Sequence, residues 1–181
     1  MYTTLEALKA FGGFDEDDED AKLEAMIGSA TQIINDRTKR IFEAADETTQ
    51  DFSRLHGVPS RFNRNILYFY EELAEEASAI TDSPTVVYLP ENGPPYYGMV
   101  TTAGAWAYPT VSVTGYWAAS RTPSPTVEFV CLRISKWLYD MGEGGVSDSV
   151  IITPDGRVLL PHGLPSDIEV LLAPLTKVVV A

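Results

Sequence analysis

The chain has 181 residues, 45% apolar and 22% charged, which suits one domain of ordinary size with a real core and is too short for two independent enzyme domains. Its 26 Asp and Glu against 13 scattered Lys and Arg leave a formal charge of -13, which excludes a protein that grips nucleic acid through clustered cations on the phosphates. A single cysteine, Cys131, excludes an intrachain disulfide and fits a reducing cytosol. No signal-peptide pattern opens the chain and no stretch approaches the ~18 to 20 apolar residues of a membrane span, so a soluble protein made inside a cell, with no membrane partner, is expected.

Thr3 and Glu6 have capping-box spacing, and Leu5, Leu8 and Phe11 share a side, which predicts a helix over 4–11 stopped by Gly12-Gly13. The acidic run Asp15, Glu16, Asp17, Asp18, Glu19, Asp20 then falls where the first turn of a second helix offers unpaired N–H groups and a positive dipole end. Leu23, Met26, Ile27, Ala30, Ile33, Ile34 and Ile41 keep helical spacing over 21–42, and Lys39 and Arg40 suit the negative C-terminal end.

Residues 43–87 read as mixed β structure. Strand content is strongest at 51–55 and 65–70, whereas 71–79 scores as helix by propensity and its glutamate pairs fit either a helix turn or a sheet edge. Runs at 85–89, 97–102 and 110–114, bounded by Pro, Gly and Asn, predict an antiparallel sheet. Ser124 then caps a helix with Pro125 in its first position, and Val127, Val130, Cys131, Ile134, Trp137, Leu138 and Met141 form its core stripe up to the glycines at 142, 144 and 145. A hairpin is expected over 148–161 around Pro154-Asp155-Gly156. Ser166 and Glu169 offer a second capping box for a short helix carrying Ile168, Leu171, Leu172 and Leu175, disturbed by Pro174. The apolar end Lys177-Val178-Val179-Val180-Ala181 is expected to dock on something, another subunit being one choice.

Little in the chain points to catalysis. The acidic run lacks the alternation, central glycine and distal glutamate of a calcium loop; His56 and His162 have no ligand neighbours at metal spacing; Cys131 lies on an apolar stripe. No nucleophile elbow, phosphate-cradling glycine loop or dinucleotide fingerprint occurs, so no catalytic residue, metal or cofactor is expected. Tyr96, Tyr97, Trp106, Tyr108, Tyr116 and Trp117 could stack a sugar or base; a β core or subunit contact is the favoured reading.

The stretch from Tyr88-Leu89-Pro90-Glu91-Asn92-Gly93-Pro94-Pro95-Tyr96 through Val111-Ser112-Val113-Thr114-Gly115-Tyr116-Trp117 to Thr122-Pro123-Ser124-Pro125 and its helix resembles the head-tail connector (adaptor) proteins of tailed bacteriophages. The start at Tyr2 to Leu8, the acidic turn, and Thr38-Lys39-Arg40-Ile41-Phe42 are similar to that family as well. Its second helix commonly ends in T-G-R-x-F, and Lys39 here replaces the glycine, which puts the local turn in question. The segment 163–175 again resembles the end of such connectors. The likeness covers roughly two thirds of the chain, with motifs that are specific as a set and weak singly.

Together these readings give an α+β protein: a small antiparallel helix bundle (about 4–42, 125–141 and 167–173) with an antiparallel β-sheet insert (about 48–120) and a C-terminal hairpin plus short helix, as one connector domain over 1–181. The resemblance implies a structural virion protein, not an enzyme: a ring, a dodecamer in the family, that sits below the portal protein, extends the DNA channel and docks tail or stopper (completion) proteins. Genome DNA would pass without specific binding. Its place would be the virion neck at the portal vertex, and the host cytoplasm before assembly. Acidic candidates for the channel wall are Asp15, Glu16, Asp17, Asp18, Glu71, Glu72, Glu75 and Glu76, whose like charge would keep phosphates off the wall within about a Debye length, ~8 Å. Candidates for portal binding are Ile168, Leu171, Leu172, Leu175, Val178, Val179 and Val180, because that short helix and apolar end have no obvious local partner; they are expected to order on binding. The alternatives are another neck or tail-completion protein, or a non-viral ligand-binding module using the aromatic residues of 96–117.

Overall fold

The computed structural model describes residues 1–15, 17–53, 65–81, 84–106, 110–143, 151–152, 158–159 and 163–177. The fold is α+β, and the chain divides into two compact units: a helical one from Met1–Arg40 with Pro123–Ala181, and a β one from Ile41–Thr122.

In the helical unit, α1 (Leu5–Gly12) is capped by Thr4, whose Oγ1 accepts from Ala7 N–H at 3.2 Å, and not by Thr3, which is buried. Gly13 closes α1 in the left-handed region at φ 72, donating its N–H to Lys9 O. α2 (Asp20–Thr38) buries Leu23, Ile27, Ala30, Ile33 and Ile34 along one stripe. It stops short of the expected residue 42, because Lys39 turns left-handed (φ 56, ψ 33) and its N–H closes on Asn35 O. Lys39 therefore takes the left-handed backbone conformation that a glycine adopts freely.

α3 (Pro125–Glu143) starts as expected, with Ser124 Oγ accepting from Val127 N–H at 3.4 Å. Val127, Val130, Cys131, Ile134 and Leu138 are buried, but Trp137, expected in the core, is only half-buried. α4 (Ser166–Leu172) has Pro165 at its N-cap and no side-chain cap bond, so the expected Ser166–Glu169 box does not form; Ser166 is already helical. Pro174 then falls in the first turn of a 3-10 helix, Ala173–Leu175, where its missing N–H removes no helical bond. α3 packs against α1, α2 and α4, and α2 against α1 and α4. Two-residue strands Ile151–Ile152 and Val158–Leu159 pair antiparallel, as the hairpin reading requires. The turn expected between them lies outside the described residues.

The β unit holds β1 (Thr48–Ser53), β2 (Ile66–Leu73), β3 (Ala79–Ile80), β4 (Val86–Leu89), β5 (Tyr96–Thr101) and β6 (Thr110–Gly115). They form two three-stranded antiparallel sheets, β1-β6-β3 and β2-β5-β4. Phe52, Val111 and Val113 from the first sheet meet Phe69, Leu73, Tyr96 and Met99 from the second, with Trp106 and Trp117 in the same core. The helix favoured by propensity at 71–79 does not form: Glu71 and Glu72 continue β2, and Ala79 begins β3, because cross-strand pairing outweighs a weak local preference. At the ends of this unit Ala119 N–H donates to Ile41 O at 2.7 Å and Ser120 Oγ to Phe42 O at 3.0 Å, so entry and exit are held side by side.

Candidate functional site

The acidic candidates fall into two groups, one per unit. In the helical unit Asp15 and Asp18 are exposed, while Asp17 and Asp20 both take a hydrogen bond from Lys9 Nζ, at 2.6 and 2.8 Å. That bond holds Asp17 below the ordinary carboxylate range, and the same two carboxylates raise the Lys9 ammonium. Glu16 lies outside the described residues. In the β unit Glu71 accepts from Gln50 Nε2 at 2.7 Å, Glu75 lies 3.7 Å from Arg121, and Glu76 is exposed. Glu72 points the other way along β2 and is 8% exposed, so its carboxylate is not on a solvent-facing wall of the single chain.

The candidates for portal contact are divided by burial. Ile168 and Leu172 are buried in the helical unit, which corrects the expectation that α4 lacks a local partner: an i, i+4 pair seats it on α2 and α3. Leu171 and Leu175 remain half-buried, and Val170, not singled out from the sequence, is 72% exposed. Val178, Val179 and Val180 lie outside the described residues. The last described backbone bond ties Lys177 N–H to Thr38 O at 2.8 Å.

Beside α4 the helical unit has a groove of about 380 Å3 lined by Phe11, Trp137 and Ile168 together with Arg133, Lys136 and Asp140. Its cations are already engaged, Lys136 with Asp140 at 2.9 Å and Arg133 with Asp167. A groove whose charges neutralise one another offers apolar and aromatic surface rather than a site for a charged reactant. Sequence reasoning missed it, since Trp137 keeps core spacing and nothing local shows that the stripe runs out from under its neighbours.

The aromatic group is mostly core. Trp117 packs on Phe52 and Phe69 at centroid distances of 5.6 and 5.2 Å and gives its indole N–H to Thr48 O at 2.9 Å. Trp106 and Tyr96 are buried, Tyr116 lies under the Arg121 guanidinium, and Tyr108 is outside the described residues. The ligand-binding alternative therefore lacks the two tryptophans on which it drew. Tyr97 is exposed, as are Tyr68 and Tyr70 on β2, which the sequence did not mark. Among the described residues no three His, Cys, Asp or Glu are grouped to hold a metal ion, and no helix is long and apolar enough to cross a membrane. Cys131 is buried against Thr31 and Ser135, and burial raises its thiol above the ordinary range.

No protein-family model and no curated protein matches the chain. Among solved structures it is similar to a chain in the neck of an empty GTA particle computed with C6 symmetry, at a TM-score of 0.59 and 10% identity, over 98% of this chain and 90% of that one. At that identity the likeness establishes a shared fold, and it spans both units.

Proposed function

We propose that this chain is a structural neck protein of a tailed-phage-type particle, a head-tail connector (adaptor) that forms a ring below the portal, extends the DNA channel and docks tail or stopper proteins. The observation that carries the reading is the shared fold with a chain from a GTA neck over nearly the full length of both, GTA being a phage-like gene transfer agent. Independent support comes from the loop-strand-helix order of 88–141, which resembles phage connectors without reference to any structure. In this reading the two units act as one connector domain, the ring is a dodecamer as in the resembled family, and the role is assembly, with no catalysis.

The exposed carboxylates Asp15, Asp18, Glu71 and Glu76 are the candidates for a DNA-repelling wall, with Asp17 and Glu75 more constrained by their cations. For the portal, the contact surface is Leu171 and Leu175 with Val178, Val179 and Val180, since Ile168 and Leu172 serve the helical unit itself. Removing residues 178–181, which leaves the Lys177 anchor in place, is expected to keep the melting temperature and abolish recovery of the portal protein with the chain. Undiminished recovery would remove this segment from the interface.

A further inference from the structure

The two sheets of the β unit differ in the side they turn away from the shared core. On β1-β6-β3 the register pairs Thr49 with Thr114 and Asp51 with Ser112, and these outward positions are polar, Thr49 and Thr114 sharing a hydroxyl bond of 2.8 Å. That is the alternation expected of an antiparallel sheet with one face in water. On β2-β5-β4 the row Leu67, Met99, Tyr88 faces the core, so the rows on either side of it face outward. Those rows are Ile66, Val100, Val87 and Tyr68, Gly98, Leu89: six positions with no charged group. Val87 is 41% and Tyr68 39% exposed, Ile66, Leu89 and Val100 are half-buried, and Gly98 between them is buried. Gly98 keeps its centre flat, since a Cβ there would lie 2.6 Å from Leu67 O.

We infer that the outer face of β2-β5-β4 is an interface that a second copy of this chain covers. The choice of occupant follows from charge. At -13 per chain, two copies repel wherever their carboxylates approach, and the repulsion is least across a surface that carries none. A cationic partner would instead be matched by carboxylates, of which this chain has many to offer, and an interface built for one would not be cleared of them. Apolar rows of Val, Ile, Leu and Tyr supply the burial that joins like-charged copies. The inference deepens the ring reading by naming the surface a ring would use, and it rests on that reading only for the number of copies.

The test is sedimentation velocity of the full chain over its accessible concentration range, with Val87→Glu, Val87→Thr and, on the polar outer face, Thr110→Glu as control. The wild type and Thr110→Glu are expected to self-associate alike, Val87→Thr to do so with a dissociation constant several-fold higher, and Val87→Glu to remain monomeric with an unchanged circular dichroism spectrum. Should Val87→Glu not fold, Val87→Thr carries the comparison. A wild type that stays monomeric throughout, or variants at residue 87 that associate as it does, would overturn the inference. Self-association lost in these variants while the wild type never joins phage particles would keep this interface and remove the neck reading instead. Particles that take up Val87→Glu normally would do the reverse.

Discussion

Lys39 occupies a left-handed turn that costs a non-glycine residue on the order of 1 kcal/mol, and its N–H nevertheless closes α2 on Asn35. Lys39→Gly is therefore expected to raise stability by about 1 kcal/mol, read as a higher midpoint in urea; an unchanged or lower midpoint would mean the lysine side chain contributes what the backbone loses. Thr4→Ala should lower stability by about 1 kcal/mol while Thr3→Ala leaves the cap intact. Cys131 should resist maleimide until the protein unfolds, because its thiol is buried and held protonated at neutral pH. At this scale the kind of residue at a helix start could be read from the chain, but not which neighbour takes the position. Thr3 and Thr4 offer the same hydroxyl, and the choice between them is made by which one the helical unit buries. Pro165 likewise displaces Ser166 from the cap by fixing the backbone one residue earlier.

Among the elements, the strands at Val86–Leu89, Tyr96–Thr101 and Thr110–Gly115 were legible to within a residue, because Pro, Gly and Asn bound them and their β-branched content has no rival. The division into two sheets was not legible, since β6 finds its partners in β1 and β3 through long-range pairing that no local signal encodes. The same cause defeated the helical propensity of 71–79. At α4 the sequence showed the apolar stripe but not its seat. Ile168→Ala is expected to destabilise the helical unit by about 2 to 5 kcal/mol, as the loss of a fully buried side chain does, and a urea midpoint within error of wild type would contradict that burial. The link from α1 to the start of α2 through Lys9 and Asp17 depends on pH at both ends. Asp17 is lowered, so its contribution is present above its ordinary value of 3.8 and is lost as pH falls through the lower folded value. Lys9 is raised, so its contribution is full below 10.5 and is lost only as pH climbs past the higher folded value. Lys9→Met should thus lose stability relative to wild type at neutral pH, with the difference vanishing in acid and shrinking in high salt.

For the whole molecule, the chain is an α+β protein of two compact units whose fold is shared with a chain of a GTA neck over 98% of its length. The order of helices, β insert, hairpin and short helix could be read from the sequence because each carries its own periodicity and punctuation. The candidate surfaces could not, since exposure is decided by packing: Glu72, Ile168 and Leu172 turned inward, while Val87 and Tyr68, unremarked in sequence, stayed open. The role proposed for the chain is that of a neck component. It is tested most directly by affinity purification of the tagged protein from cells producing its particles, with mass spectrometry and negative-stain imaging of what accompanies it. Ring-bearing particles carrying portal and tail proteins are expected; recovery of the chain alone, from cells that are demonstrably making particles, would rule the neck role out.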